Sequence, residues 1–175
     1  MPETLRGHLL IAAPSLFDYF RRTVVLVIEH TPEGAIGVVL NRESETRVAD
    51  AVQQLADLAS DDELVRIGGP VAPESVVALG EFGDLSEAGT QVVGRLGTLD
   101  PESANESLTR MRVYAGYAGW GAGQLDGELE QDAWLVAPAE ADDPFTAEDI
   151  WASALERRGG AYRLLATMPP DPSQN

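Results

Sequence analysis

The sequence predicts an α+β fold: a single domain with a mixed, partly barrel-like β-sheet flanked by three or four helices. Three observations support this prediction. The chain has 175 residues, with no internal repeat and no linker long enough to divide it, which is the length of one large domain. About seven strand-like and three or four helix-like segments follow one another without strict alternation. The run TVVLVIE at 23–29 is almost continuously apolar and β-branched, so both faces of that strand should be covered.

The first half of the chain is predicted to consist mainly of strands. Apolar, β-branched runs place these strands at residues 9–12, 23–29, 35–41, 65–67, 75–79 and 91–96. Residues 15–19 form a turn or a short helical loop. The turn Thr31-Pro32-Glu33-Gly34 joins the second and third strands into a hairpin. Apolar residues at helical spacing predict one amphipathic helix at 47–58, and residues 81–89 form an acidic loop.

The second half contains the remaining helices. Asp100 and Pro101 are typical of a helix start and predict a short helix to about residue 108. A strand at 112–115 leads into a glycine turn, a helix at 122–131 and a further strand at 134–137. After an acidic loop at 138–144, Thr146 caps a helix at 147–158, which Gly159 ends. A short segment at 162–168 closes a domain of residues 1–168, and residues 169–175 form a flexible tail.

The charge balance bears on the kind of partner. The net charge is −17, and all twelve basic residues are Arg. Affinity for nucleic acid depends on cations that neutralise phosphates, so direct binding to DNA is not expected. The chain has no Cys, which excludes disulfides and thiolate chemistry and favours a cytoplasmic location. No run approaches the length of a membrane span, and no signal peptide is expected, so no membrane partner is predicted.

One stretch combines glycine, aromatic and polar residues in an unusual mixture. Residues 114–134 read YAGYAGWGAGQLDGELEQDAW. On the predicted helix, Trp120, Gln124 and Glu128 recur every four residues and form one stripe, and Leu125 and Leu129 form the adjacent apolar stripe that should face the core. The glycines permit close approach of another backbone or of a ligand. This stretch is therefore the first candidate for a binding site.

Polar residues at strand ends complete the candidate site. Asn41 and Arg42 end the third strand, and we expect Gln124 and Glu128 to meet them if the helix packs on the sheet. An Arg, an amide and a carboxylate around a glycine-lined cleft would bind a small polar or anionic ligand. The hypothetical ligand site comprises His30, Asn41, Arg42, Gly69, Trp120, Gln124 and Glu128. In the alternative interpretation, Asn41 caps a turn, Arg42 pairs with Glu128, and all these residues are structural.

Motifs of known chemistry are missing from the sequence. It contains no nucleophile elbow, P-loop, dinucleotide-binding glycine pattern or zinc-protease motif. A metal site would need both histidines, His8 and His30, to converge with a carboxylate, whereas a histidine at a strand end is usually structural. No metal and no cofactor is therefore expected, and no catalytic residue is assigned.

Several motifs in order along the chain resemble the YqgE/AlgH family. They are GHLLIAAP, FRRTVVLVIEH, GAIGVVLNR, the corner GGPV and GYAGWGAGQLDGELEQDAW. The resemblance covers essentially the whole chain, to the closing TMPPDPSQN. Two departures shift loops near the proposed cleft: Asp18-Tyr19-Phe20 lacks the Pro common in the family and is a residue shorter, and Glu43 stands where a Pro is usual.

The resemblance implies a single α+β domain with a mixed sheet that forms a partly open barrel, in a cytosolic bacterial protein. The family carries a transcriptional-regulator label, but no established DNA-binding motif, activity or cofactor. Family signature positions fall here at Phe20, Arg22, Glu29, His30, Gly34, Gly37, Asn41, Gly68, Gly69, Pro70, Gly116, Tyr117, Trp120, Gln124, Leu125, Glu128 and Trp134.

Three functions are compatible with these observations. The first is a non-enzymatic binding or regulatory protein that holds a protein partner or a small polar ligand in the polar cleft. The second is a transcriptional regulator that acts through DNA or through a protein partner. The third is a hydrolase in which Glu128 or His30 is the general base, which requires a raised carboxylate pKa or a bound metal.

Overall fold

The computed structural model describes residues 4–13, 22–59, 62–100, 105–146 and 150–158. The strands of its first half are β1 (His8–Ala12), β2 (Val24–Thr31), β3 (Gly34–Val39), β4 (Glu43–Arg47) and β5 (Leu64–Ile67). Those of its second half are β6 (Val71–Phe82), β7 (Gln91–Val93), β8 (Leu96–Thr98), β9 (Leu108–Gly121) and β10 (Trp134–Pro138). The α-helices among the described residues are α1 (Val48–Ala51), α2 (Gln124–Glu130) and α3 (Ile150–Arg158).

The strands form a mostly antiparallel sheet in the order β10-β1-β2-β3-β9-β6-β8-β7. β4 pairs with β5, and β5 pairs in parallel with β9, which makes the sheet mixed, as predicted. The sheet curls until Gly7 approaches β7, where a Cβ on Gly7 would lie 2.5 Å from the carbonyl oxygen of Val92. No strand pairing within the described residues closes the ring. The α+β domain is therefore confirmed, but the partly barrel-like closure is not.

Three apolar clusters fill the two faces of the curled sheet. The first lies inside the curl, where Leu26, Leu79 and Leu96 meet Trp151 and Leu155 of α3. The second lies under α2 and contains Trp120, Trp134 and Leu125. The third lies under α1 and contains Val48, Val52, Leu55, Phe82 and Val113. Each helix covers one cluster, because an amphipathic helix is stable only when its apolar face is buried.

The glycine-rich stretch is a strand for longer than predicted. β9 runs without interruption from Leu108 to Gly121, whereas the sequence predicted a turn after residue 115. The reason is an alternation of period two at the end of the strand. Ala118 and Trp120 are buried, and Gly119 and Gly121, which alternate with them, are exposed. This extension carries β9 from β6 and β5 across to β3, so one strand joins both halves of the sheet.

The predicted helix at 47–58 is only one turn long. α1 ends at Ala51, Val52 is extended with φ of −133° and ψ of 91°, and a 3₁₀ turn follows at Gln53–Leu55. Val48, Val52 and Leu55 are nevertheless buried, as their spacing predicted. Burial of these side chains against the sheet fixes the segment, since so short a helix has little stability of its own.

Other bounds also differ from the predictions. β6 is longer than the predicted strand at 75–79, and the predicted strand at 91–96 is a hairpin of β7 and β8 with Gly94 at its turn. β4 was not predicted, because its sequence ESETR has no apolar residue. The turn at 15–19, the segment at 162–168 and the tail at 169–175 lie outside the described residues. Residues 101–104 of the predicted helix at 100–108 do too. Residues 105–107 are not helical, and β9 has already begun at Leu108, so the second half of that prediction is wrong.

Among the described residues, no helix has both the length and the apolar character that crossing a bilayer requires.

Candidate ligand-binding cleft

The tip of β9 positions α2 against the sheet. Gly123, with φ of +75°, turns the chain after Gly121 and precedes Gln124, the first residue of α2. Asp132, with φ of +57°, turns it again before Trp134 begins β10. Leu125 is buried and Leu129 is partly buried in the cluster below, so the apolar stripe faces the core as predicted. These contacts fix which side of α2 faces the strands.

Glu128 is the centre of a hydrogen-bond network. Its Oε1 accepts the indole N–H of Trp120 at 3.1 Å and that of Trp134 at 2.9 Å. The two indole rings meet edge to face, with centroids 6.1 Å apart and planes at 77°. A buried indole N–H needs an acceptor, and one carboxylate oxygen serves both. Glu128 thereby connects α2 to β9 and to β10.

Gln124 extends this network to the end of β9. Its Nε2 donates to Oε2 of Glu128 at 3.0 Å, and its Oε1 accepts the backbone N–H of Gly121 at 3.0 Å. The two side chains lie four residues apart on α2, where an i, i+4 pair faces the same way. The predicted stripe forms on α2 only for Gln124 and Glu128, because Trp120 lies on β9 and joins them by its hydrogen bond to Glu128. Together the three side chains are the polar joint between helix and sheet.

A cleft of about 400 Å³ opens beside this joint, between the β2–β3 turn, the end of β9 and α2. We call it the His30 cleft. Its lining residues are Leu5, His30, Thr31, Pro32, Gly34, Gly121, Gly123, Leu125, Asp126 and Leu129. The pairing of Gly34 with Gly121 brings the turn and the helix to the same end of the sheet. The lining combines an apolar floor of leucines with a few polar groups at the rim, which is typical of small-ligand sites.

His30 is held by the segment before β1. Its Nδ1 accepts the backbone N–H of Leu5 at 2.9 Å, and Thr4 Oγ1 donates to its carbonyl oxygen at 3.3 Å. With Nδ1 occupied as an acceptor, the neutral ring carries its proton on Nε2. His30 thus presents a donor rather than a basic nitrogen.

A shallower groove of about 270 Å³ lies on the other side of the β2–β3 turn. It shares Thr31 and Gly34 with the His30 cleft, and Glu29, Glu33 and Trp120 also line it. Arg6 pairs with Glu29 at 3.4 Å, and both side chains are exposed. Carboxylates therefore surround the turn on both sides.

The predicted site residues divide into two groups at opposite ends of β3. His30, Trp120, Gln124 and Glu128 lie at the Gly34 end. Asn41 and Arg42 follow the other end of β3, whose six residues span about 17 Å at roughly 3.3 Å per residue. The expectation that these residues share one cleft is therefore corrected, and the pairing of Arg42 with Glu128 is excluded by the same separation. The predicted anion-binding set loses its arginine.

Asn41 has a structural contact of its own. Its Nδ2 donates to the carbonyl oxygen of Arg22 at 2.9 Å, and its Oδ1 accepts the backbone N–H of Val24 at 3.1 Å. The side chain thus bonds the chain that enters β2. Arg42 lies beside β5, where its carbonyl oxygen accepts the N–H of Ile67 at 2.8 Å. Asn41 therefore caps neighbouring backbone, as the structural interpretation expected.

Gly69 lies at the corner between β5 and β6, at the same end as Asn41. A Cβ on Gly69 would overlap the carbonyl group of Tyr117 on β9. Gly116, with φ of +72°, is its counterpart on β9, where a Cβ would lie 2.5 Å from the carbonyl oxygen of Gly69. Two glycines are needed because the backbones cross in contact. Gly69 is thus required for packing, at a distance from the His30 cleft.

Several cleft residues were missed by the sequence analysis. Asp126 and Pro32 were not assigned to a site, although the turn and the helix that carry them were predicted. Leu5 could not be placed, because it precedes the first predicted strand. The pairing of β3 with β9 brings these segments together, and no local pattern specifies that pairing.

In the described part of the chain, no three His, Asp or Glu side chains converge as a potential set of metal ligands.

Fold and cleft together define a class of protein: a single α+β domain with a curled, open, mostly antiparallel sheet and a cleft at the tip of its longest strand. The AlgH-like family model matches residues 9–163. The UPF0301 protein SCO2948 of Streptomyces coelicolor is 42% identical, over 99% of this chain and 96% of that protein. A UPF0301 protein of Thermobifida fusca is 41% identical, over 98% of this chain and 96% of its own.

Two solved structures resemble the chain over nearly its full length. The crystal structure of DIP2367 from Corynebacterium diphtheriae matches with a TM-score of 0.86 and 31% identity, covering 95% of this chain and 93% of that one. The solution structure of the AlgH protein from Pseudomonas aeruginosa matches with a TM-score of 0.70 and 31% identity, covering 97% and 96%. The chain belongs to the AlgH-like family.

Proposed function

We propose that this protein is a non-enzymatic binding protein that holds a small polar ligand, or a segment of a protein partner, in the His30 cleft. The observation that carries the proposal is the cleft itself. Its volume of about 400 Å³ falls in the range of small-molecule sites, roughly 300–1,000 Å³. Leu125 and Leu129 supply apolar contact area, and His30 and Asp126 supply directional polar groups at the rim.

The state of the two candidate bases supports binding rather than hydrolysis. A general base must present a lone pair to the proton that it removes. Both oxygens of Glu128 already accept hydrogen bonds from Trp120, Trp134 and Gln124. Nδ1 of His30 accepts a hydrogen bond from Leu5, which leaves its proton on Nε2. Each residue is thus engaged in holding the walls of the cleft.

The arrangement of the arginines supports a ligand or protein partner rather than DNA. Many arginines of the described residues contact carboxylates: Arg6 with Glu29, Arg47 with Asp50, Arg66 with Glu43, Arg110 with Glu81, Arg112 with Glu63 and Arg157 with Asp143. Paired cations have less charge to offer to phosphates, and the net charge is −17. We expect no gel shift of duplex DNA at low salt, and a salt-sensitive shift would favour the DNA-binding alternative.

A blocked variant tests the proposed function. Gly121 lines the cleft, its φ lies outside the left-handed region, and a Cβ there would have its nearest neighbour at 3.9 Å, Oε1 of Gln124. Gly121→Leu should therefore fold and fill the cleft. Gly83→Leu is the matched control, because Gly83 is also exposed, its φ also lies outside the left-handed region, and a Cβ there would have its nearest contact at 3.5 Å.

The measurement is a ligand-observed NMR screen of a mixed library of small polar compounds and short peptides. We expect some compounds to bind to the parent protein and to the control Gly83→Leu. The same compounds should not bind to Gly121→Leu. A library without any binder, or binders that Gly121→Leu retains in full, would contradict the proposal. Circular dichroism of the three proteins verifies that each is folded.

A further inference from the structure

We infer that the His30 cleft selects a cationic group, an alkylammonium or a guanidinium, carried on an aliphatic stem. This inference rests on the proposed function of the cleft and adds the chemical class of the ligand. Asp126 is the carboxylate in the lining, and no arginine is present there. A cation that enters the cleft therefore meets an opposite charge, whereas an anion meets a like charge.

Asp126 is available to a ligand. It is exposed on the first turn of α2, and within the described ranges its side chain has no hydrogen bond and no ion pair. Glu128, two positions along α2, contrasts with it, since both of its oxygens are engaged. Of these two carboxylates, Asp126 is the one that lines the cleft and whose oxygens accept no hydrogen bond within the described ranges.

The floor of the cleft suits an aliphatic stem. Asp126 and Leu129 are separated by three positions on α2, so their Cβ atoms are neighbours at about 5–6 Å. A head group on Asp126 thus places the attached methylenes against Leu129 and, one turn back, Leu125. Alkylammonium and guanidinium stems cover apolar surface in this way while the charge stays at the rim.

The surroundings of the cleft favour the same charge. Glu33 lines the groove on the other side of the β2–β3 turn, which shares Thr31 and Gly34 with the cleft. Glu29 lines that groove too, but Arg6 pairs with it at 3.4 Å, so Glu33 is the carboxylate there that adds negative charge. His30 adds no acceptor for a cation, because Nδ1 is bonded to the N–H of Leu5. Binding should therefore depend on Asp126 and weaken with salt.

Two sources could supply this chemistry: a Lys or Arg side chain of a protein segment, or a free amine. The probes are the capped tripeptide acetyl-Gly-Lys-Gly-amide, its norleucine counterpart and 1,5-diaminopentane. Norleucine keeps the stem and removes the charge. Binding is followed through the backbone amides of Thr31, Gly34, Gly121 and Leu129 in ¹⁵N-labelled protein. Binding of the lysine tripeptide identifies a peptide source, and binding of the diamine alone identifies a free amine.

Asp126→Asn is the test variant, and Glu130→Gln is its control. Glu130 is exposed on the same helix but does not line the cleft, so its substitution removes the same charge elsewhere. We expect the parent and Glu130→Gln to bind an amine probe equally, and Asp126→Asn to bind it about fivefold more weakly or worse. Gly121→Leu should not bind it, and the norleucine peptide should bind no better to the parent than to Asp126→Asn.

Failure of this inference is distinguishable from failure of the proposed function. Equal binding of the lysine and norleucine peptides, or equal binding by the parent and Asp126→Asn, would overturn the charge selection and leave the cleft as a binding site. If no amine binds while library compounds still bind in the cleft, the charge selection is likewise overturned and the cleft remains a binding site. Amine binding that Gly121→Leu retains would show that the amine binds elsewhere, which also overturns the inference.

Discussion

Gln124 and Glu128 lie one turn apart on α2, and the orientation of the first side chain requires the charge of the second. Oε1 of Gln124 accepts the N–H of Gly121, so its Nε2 must point at Glu128, which accepts it at 3.0 Å. The other oxygen of Glu128 accepts two indole N–H groups. Every neighbour of Glu128 in this network is a donor.

This directionality predicts that Glu128→Gln destabilises the protein, although the two side chains have the same shape. An amide at position 128 turns its NH₂ either toward the NH₂ of Gln124 or toward the indoles of Trp120 and Trp134. In either orientation the new NH₂ group faces another N–H donor, and a hydrogen bond is lost. We expect this to lower the free energy of unfolding by about 1–2 kcal/mol. Glu130→Gln, on the same helix without these contacts, should change it by less than about 0.5 kcal/mol.

The double variant Gln124→Glu/Glu128→Gln should recover most of the loss. Position 124 then accepts from both Gly121 and the new amide, whereas Gln124→Glu alone places two carboxylates together. Urea unfolding of the parent, the two single variants and the double variant gives the coupling free energy, which we expect to be about 1–2 kcal/mol. Additive losses would contradict the inferred hydrogen-bond directions.

Two glycines of the α2 region should respond oppositely to alanine. Gly127 is inside α2, where a Cβ meets nothing within 4 Å, so Gly127→Ala should stabilise the protein by about 0.5–1 kcal/mol. Gly123 is equally uncrowded but has φ of +75°, so Gly123→Ala should cost about 1–2 kcal/mol. Thermal unfolding of both variants measures the change in stability that each substitution causes. Effects of the same sign would mean that the backbone at 123 is not left-handed.

The crossing of Gly69 and Gly116 should tolerate no side chain. Gly116→Ala combines the left-handed backbone with a contact of 2.5 Å to the carbonyl oxygen of Gly69, and we expect a loss of about 3 kcal/mol. Gly119→Ala, three residues along β9, is the control, because its nearest contact would be 3.6 Å and the change should stay within about 0.5 kcal/mol. Urea unfolding compares the two, and equal losses would refute the crossing.

Tyr114 should make stability fall at alkaline pH. Burial raises the pKa of its phenol above the ordinary value of about 10, and the neighbouring charges of Arg66 and Arg112 lower the pKa again only in part. Because the folded-state pKa is raised, the contribution of Tyr114 is fully present below about pH 10 and declines as the pH rises toward the folded-state value. Between neutral pH and pH 10 the group contributes no slope.

Tyr114→Phe isolates this effect. The phenol oxygen has no hydrogen-bond partner among the described residues, so its removal should cost little stability at neutral pH. Urea unfolding of both proteins at increasing pH should give a stability difference that is constant to about pH 10 and then moves in favour of the variant. A difference independent of pH up to about 11 would mean that the phenol is not buried.

The sequence predicted those elements whose signals are local. The β2–β3 hairpin follows from the turn chemistry of Thr31 to Gly34, and the pair on α2 follows from the spacing of Gln124 and Glu128, whereas Trp120 lies on β9 and not on the helix. β4 escaped prediction because it is polar, as edge strands often are. β9 was predicted too short because the glycines after residue 115 were interpreted as a turn, although the strand continues through Gly116, and Gly119 and Gly121 lie on its exposed side.

The cleft could not be predicted for a different reason. Its walls come from the segment before β1, the β2–β3 turn and α2, and the pairing of β3 with β9 brings them together. A strand register is specified by burial on both partners and not by either segment alone. The same absence of register information placed Asn41 beside Gln124, whereas β3 separates them by its whole length.

The most direct test of the account is to locate where a ligand binds. A compound selected in the library screen would be titrated into ¹⁵N-labelled protein, and the shifted backbone amides would be assigned to one end of β3 or the other. We expect shifts at Thr31, Gly34, Gly121 and Leu129, which line the His30 cleft. Shifts confined to the end of β3 that carries Asn41, Arg42 and Gly69 would contradict it.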